Sequence, residues 1–535
     1  MSAFTRRVSR RKVLAVGAGI SAGVAADSMV PGRSLASPRH IPAQAAAASL
    51  VRRGESATAE GGRLELSTLV ACPPSVHVAR RLTYGATPAA VATARREGIA
   101  AFVDSQLRPS AIADDTCDGY LRRFPLLGLA PGRLRAAVPT GSFEQMAQMA
   151  TAALVRATWS ERQLFEMMVE FWWNHFNVGL PSSDVWDLAG EHDNRIRAGA
   201  LGRFADLLHS MAHSPALLRS LNQDQSVRAN PNENYGRELL ELHTVGVGAG
   251  YSQHDVHQSS LLLTGLGILP DGCTAAYIPA GHYLGRVEVM SFSDANRSTA
   301  GGAGLIARYL DYLAHHRATA THLATKLAVR FVCDDPPRSL VAGLAHTYLA
   351  GGTAIVPVLR RLFASSEFLK SAGQKMRRPV EAVAAALRVL DYRLDGPGTD
   401  DVGDLGFVLQ IMGQRPMGWV QPNGYPDVAP AWVSASATQA AWATHLRLAG
   451  GWWTKQLAFP GVAALLGHPA PSERAGDVLD KLAARLLFAR LAVSHKAALL
   501  EFMGRGEDEP IGQSGVEGLG MLAKVLLDSP YFAVR

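Results

Sequence analysis

Residues 160–176 read S-E-R-Q-L-F-E-M-M-V-E-F-W-W-N-H-F, and this stretch decides the fold class. Leu164, Met168, Trp172, His175 and Phe176 fall at i, i+4, i+8, i+11 and i+12, one apolar stripe at helical spacing. A half-buried strand would alternate every second residue instead. Ser160 and Gln163 stand three apart, the spacing of a capping box in which each side chain satisfies the other's backbone N–H. The stripe turns His175 inward among aromatic rings. An inward imidazole is either a hydrogen-bonded core group or a base or ligand, and Asn174 and Asn177 beside it suit either role.

The same period continues along the chain. Thr87-Pro88 reads as an N-cap followed by proline at the first helical position. Further helices are expected near 197–219, 233–244, 253–264, 301–315, 318–332, 338–349, 355–364, 377–391, 434–447, 476–492 and 493–503. The best strand candidate is R-V-E-V-M-S-F at 286–292. The expectation is an all-α or mainly α, multi-helix globular domain over residues 76–535 with few short strands. L-D-G-P-G-T-D-D-V-G-D marks a candidate subdivision near 393–404.

Ahead of that domain, residues 1–45 read as an export signal with its cleavage region, and 46–75 as a linker. Ser9-Arg10-Arg11-Lys12-Val13-Leu14 resembles the twin-arginine pattern and leads into an uncharged apolar run to about Ala26. The run is shorter than the roughly 20 residues that span a bilayer. Residues 1–40 carry seven Lys or Arg against Asp27, a net of +6, while the whole chain is +7. The remainder is therefore near +1, which removes the case for a nucleic-acid partner. The partner implied is the twin-arginine export machinery, the location outside the cytoplasm, with no transmembrane span in the mature protein. Cys72, Cys117, Cys273 and Cys333 are widely spaced without C-x-x-C, so disulfides and free thiols both remain open.

Residues 232–244, N-E-N-Y-G-R-E-L-L-E-L-H-T, concentrate the chemistry. On a regular helix Asn234, Glu238 and Glu241 share one polar face flanked by Glu233 and Arg237, and His243 lies on the apolar side with Leu239 and Leu242. The face is either a catalytic or ligating carboxylate pair or a solvated row of i, i+4 ion pairs. G-V-G-A-G-Y-S-Q-H-D follows; it lacks the G-K-[ST] ending of a P-loop and reads as a turn before a helix capped by Ser252 and Asp255. G-x-S-x-G and H-E-x-x-H are absent.

R-R-L-T-Y-G-A-T-P (80–88), F-W-W-N-H-F (171–176), A-L-G-R-F-A-D-L-L (200–208), P-N-E-N-Y-G-R-E-L-L-E-L-H-T-V-G-V (231–247), T-K-L-A-V-R-F-V (325–332) and G-Y-P-D (424–427) together resemble the bacterial domain-of-unknown-function 1800 family. The resemblance covers residues 75–535 and implies an exported, mostly helical protein, without a reaction. Two positions depart from the family pattern. Trp173 stands where F-W-H-N-H-F has its first histidine, and G-H-Y-L-G-R-V-E-V keeps His282 without the acid that follows it.

The favoured expectation is a carboxylate and histidine hydrolase, with or without a divalent metal. Glu238 or Glu241 and His175 would act as base or ligand, Arg237 or Asn234 would orient substrate, and His175, Glu238, Glu241 and His282 would form the metal set. The alternatives are a non-enzymatic binding or assembly protein, and a glycan-binding or glycan-cleaving protein suggested by nine tryptophans.

Overall fold

The computed structural model describes residues 72–138, 143–180, 185–453 and 455–535. The segments expected to be an export signal with its cleavage region, and nearly all of the expected linker, lie outside the described residues. The fold is mainly α-helical. Thr87 caps its helix as the sequence indicates, its hydroxyl accepting from the Ala90 N–H.

In chain order, α1 (Pro74–Arg81) and α2 (Pro88–Glu97) lead to α3 (Glu144–Trp159) and α4 (Gln163–His175). The capping box expected at the start of α4 does not form. The Gln163 side chain accepts from the Tyr84 N–H at 2.8 Å, while the Ser160 hydroxyl donates to Asp114 at 2.7 Å. Both cap residues are taken up by tertiary contacts, which a local reading of four residues does not see.

The single helix expected over 197–219 is broken into the end of α5 (Ala189–Gly199), then α6 (Phe204–Ala212) and α7 (Pro215–Ser220). Pro215 opens α7 because it has no N–H to continue α6. Helix α8 (Glu233–Glu238) runs into a π-helical turn, Leu239–His243, and α9 (Gln253–Leu262) begins with a complete Ser252/Asp255 capping box.

Two antiparallel ribbons follow, β1 (Leu266–Ile268) with β2 (Ala275–Tyr277), and β3 (Val287–Val289) with β4 (Phe292–Asp294). The strand expected over 286–292 is thus a hairpin, with Val289 opposite Phe292 and the chain reversing at Met290 and Ser291.

The second half comprises α10 (Gly302–Ala314), α11 (Arg317–Phe331), α12 (Arg338–Ala350), α13 (Ile355–Phe363), α14 (Pro379–Val389), β5 (Arg393–Leu394), α15 (Asp400–Ile411), α16 (Ala435–Ala449), β6 (Leu457–Ala458), α17 (Ala475–Leu487), α18 (Val493–Phe502) and α19 (Leu519–Leu527). Helix α11 packs along α12, and α14 packs against both α3 and α16. At the 393–404 break, β5 pairs with β6.

One continuous core unites these helices, with Trp172, Phe176, Phe204, Tyr309 and Phe331 inaccessible to solvent. Nearly every residue of α14 is buried, including Glu381, so this helix is central rather than amphipathic. All four cysteines are free thiols. Among the described residues no helix is long and apolar enough to cross a membrane.

The segment Gly424 to Asp427 is laid over the C-terminal end of α4. The Asn174 side-chain oxygen accepts from the Tyr425 N–H at 3.0 Å, and a Cβ on Gly424 would stand 2.1 Å from the Asn174 carbonyl oxygen. Gly424 also has φ near +70°, a conformation that side chains resist. Gly424→Ala is therefore expected to destabilise the protein by about 3 kcal/mol, read from urea unfolding midpoints. A change within experimental error would show that this contact does not hold the loop.

Candidate functional site

The partition of faces drawn from a regular helical wheel holds through the π turn. Its i to i+5 bonding inserts an extra residue into the turn, and such bulges are frequent at functional sites. Glu238 and Glu241 stay on the outer side, while His243 is delivered into the interior at 1% exposure. The turn also leaves carbonyls at the helix end that need donors. Two imidazoles from other helices supply them. His175 Nε2, at the end of α4, donates to the His243 carbonyl at 3.0 Å, and His322 of α11 bonds the Leu242 carbonyl.

A carbonyl only accepts, so His175 carries its proton on Nε2 and presents a lone pair at Nδ1. Lys326 of α11 fills it, its Nζ donating at 3.0 Å. The result is a compact centre of three imidazoles and one amine. The His175 ring lies 6.1 Å from that of His243 and 6.2 Å from that of His322, and Phe176 and Trp172 stand edge-on to it at 4.6 and 5.4 Å. Gly246, at φ +86°, makes the close approach to His322 possible, since a Cβ there would meet Nδ1 at 2.8 Å.

Burial sets the charge state of this centre. It pushes His175 well below the usual imidazole range, assisted by the Lys326 cation, and takes His243 down to about 3 and His322 to about 4. Burial also lowers the Lys326 amine to about 8, against a pull upward from Asp427. Among the described residues no carboxylate is ion-paired with this amine.

One helical turn further along α11, Arg330 enters a second, fully ionic group. Glu381 receives Arg330, Arg378 at 3.2 Å and Arg535 at 3.0 Å, and its second oxygen accepts the Arg378 backbone N–H at 3.0 Å. Burial alone would raise this carboxyl. The guanidinium groups of Arg535, Arg330 and Arg378 outweigh it and hold Glu381 well below the carboxylate range. Glu170 of α4 accepts from Arg378 at 2.6 Å and Arg330 at 3.2 Å, and Asp427 pairs with Lys375 at 3.5 Å.

The residues singled out from sequence are distributed differently from the expected set. His175 meets His243, His322 and Lys326 instead of the acidic face. Glu241 lies 3.6 Å from Arg237 and hydrogen-bonds Tyr251, while Arg237 donates to Gln253 at 2.7 Å. Glu238 is half-buried, and burial together with the neighbouring Glu241 raises its carboxyl. Asn234 is exposed, and its N–H is used by the Asn232 cap. His282 sits beside the ribbons, its ring nitrogens taken by the Thr264 carbonyl at 2.7 Å and the Asn296 side chain at 3.0 Å. His175, Glu238, Glu241 and His282 are not brought together, and among the described residues no group of three or more His, Cys, Asp or Glu is placed to hold a metal ion.

Lys326, His322, Arg330, Glu170, Asp427 and Glu381 were not singled out from sequence. A signal existed for three of them: His322, Lys326 and Arg330 recur every four residues and so share one face of α11.

Among the described residues burial lowers six histidines: His77 and His243 to about 3, His192 and His322 to about 4, and His175 and His316 below the usual range. Below an unfolded value of about 6.5 the unfolded chain binds protons that the folded chain refuses. Stability is therefore highest above pH 6.5 and falls as pH drops toward 4. Thermal melts from pH 8 to pH 4 are expected to show this loss beginning near 6.5, and a melting temperature flat to pH 4.5 would contradict the neutral assignment.

The segments noted for their resemblance meet at these two groups. Tyr84, His175, His243, Lys326 and Arg330, and Asp427 come from five of them, and the sixth supplies Phe204, 5.8 Å from the His175 ring. No curated protein and no solved structure matches the chain. The family model described as "Protein of unknown function (DUF1800)" matches residues 77–534, and the chain belongs to that family.

Proposed function

We propose that this is an exported enzyme of the hydrolase class in which Lys326 is the general base. The observation that carries the reading is the Lys326 amine itself, donating to a neutral imidazole at 3.0 Å and held near 8. At mildly alkaline pH a large fraction of this amine is neutral while its hydrogen bond to His175 fixes its direction. The neutral amine takes a proton from water as the water attacks substrate, and the resulting ammonium returns the proton to the leaving group. His175 acts as a positioning residue, because its own basicity is too low for it to accept the proton. Arg330 and Arg378, anchored on Glu170, supply positive charge one helical turn away for a developing anion.

The test uses a panel of chromogenic esters, amides, glycosides and phosphoesters, together with direct NMR titration of the Lys326 amine. Activity is expected to rise with pH through about 8, and Lys326→Met to lose on the order of 10²–10⁴-fold in kcat. The variant also loses a half-buried cation that no carboxylate among the described residues pairs with, so it is expected to be at least as stable as the parent at pH 7. An amine titrating above 10, or a variant retaining full activity, would sink the proposal.

Export is supported by the Arg10-Arg11 pair and the basic, weakly apolar leader. Changing both arginines to lysine is expected to retain the protein in the cytoplasm, measured by fractionation and immunoblotting. Unchanged export would remove the twin-arginine route.

A further inference from the structure

A groove of about 420 Å³ lies between the start of α3, the end of α15 and the loop of residues 413–421. The loop is strapped to the chain that follows α4. The Asn177 side-chain amide donates to the Trp419 and Gln421 carbonyls at 2.9 and 2.7 Å, and the Leu180 N–H donates to the Met417 carbonyl at 3.1 Å. Trp419, on the groove wall, is oriented by the bond from its Nε1 to the Asn423 side chain at 2.8 Å, and the Tyr425 ring lies 5.1 Å from its own. Met146 and Leu180 add buried apolar surface, and Phe143 is 61% exposed beside them. No lining residue belongs to the Lys326 centre or to the ionic group around Glu381.

Among the described residues that line the groove, Arg415 alone is charged. Its guanidinium is half-buried and reaches one side-chain acceptor, the Gln410 oxygen, at the long distance of 3.4 Å. Burial lowers its pKa, and among the described residues no carboxylate is near enough to oppose that. An arginine keeps its charge even so. This sets it apart from Arg330, Arg378 and Arg535, which all meet Glu381. A guanidinium presents five N–H donors in a planar fork, and a carboxylate that fits the fork makes shorter, stronger bonds than a neutral acceptor. Arginine only donates, so Gln410 turns its oxygen toward Arg415 and keeps its NH₂ as a further donor beside the guanidinium.

We infer that the groove is a binding site for a monoanion with a flat apolar body, an aryl carboxylate in chemical class, whose carboxylate meets the Arg415 guanidinium and whose ring lies against Trp419. The charge of the ligand follows from the charge of the lining. One cation without a carboxylate partner is matched by one negative charge, and the planar fork suits the planar carboxylate. A phosphate dianion would need a second cation, which the described lining does not offer. The rest of the ligand follows from the walls. Trp419 and Tyr425 favour a flat π surface, and a groove of this volume with apolar walls and few polar groups is of small-molecule size. The site is independent of Lys326 and of the proposed hydrolysis.

The experiment titrates the full chain with 2-naphthoate and, separately, with 2-naphthamide, which has the same ring and shape and no charge, by calorimetry and tryptophan fluorescence. The naphthoate is expected to bind roughly 10-fold more tightly than the amide, the scale of a hydrogen bond to a charged group. Trp419→Ala, a change at a partly exposed position, is expected to weaken both probes. Arg415→Met is expected to abolish the preference for naphthoate while retaining binding of the amide. If Arg415→Met fails to fold, Arg415→Lys keeps the charge without the fork and is expected to reduce the preference in a folded protein, confirmed by its melting curve. Equal affinity for the two probes, no binding of either, or a preference that the folded Arg415 variant leaves unchanged would overturn the inference.

Discussion

The structure depends on one buried carboxylate, Glu381, which is 0% exposed and receives three arginines from three separate parts of the chain. Arg330 comes from α11, Arg378 from the residue before α14, and Arg535 from the end of the described chain. Taking these charges out of water is expensive, and only a nearly complete set of short contacts repays it. Such a set leaves little freedom. Helices α11 and α14 and the C-terminal segment must arrive in one arrangement, since withdrawing any guanidinium leaves its partners buried and unmatched. Glu170 and Asp427 extend the same demand to α4 and to the segment laid across it.

That rigidity bears on the chemistry next door. Lys326 stands four residues before Arg330 on α11, and Glu170 stands five before His175 on α4. The ionic group thus holds the two helices whose side chains form the Lys326–His175 hydrogen bond. A half-buried amine near 8 needs its low-polarity surroundings to stay in place, and the neighbouring ion set keeps them so without placing a carboxylate on the amine itself. Asp427 is close enough to pull the amine upward but is already occupied by Lys375, Arg330 and Arg378.

Much of the helical framework was legible because it rests on local rules. Apolar spacing located α9 to α14 to within a few residues, and Thr87-Pro88 and Ser252/Asp255 cap their helices as side-chain chemistry requires. What was not legible depends on distant partners. Gln163 was drawn from its cap by Tyr84, 79 residues away in the chain. His243 was rightly placed on the apolar side by a regular wheel, but the π turn and the partners met there, His175 of α4 and His322 and Lys326 of α11, come from beyond the local window. Lys326 carries no local mark of reactivity. Its basicity is set by burial against residues from α4 and the π turn, which no window of sequence contains.

The departure at Trp173 can be resolved on the same grounds. Residues two apart on a helix point about 200° from each other, so positions 173 and 175 never face one centre. Trp173 packs edge-on against His192 at 5.0 Å, whereas His175 faces Lys326. A histidine at 173 would join the side of α4 that carries Glu166 and Glu170, lining a small cavity with Tyr84 and Arg197. Tryptophan fills that space and leaves its own Nε1 without a partner. The substitution therefore alters the far side of α4 and leaves intact the hydrogen bond from Lys326 to His175, so a centre built on position 175 does not require the histidine that this chain lacks.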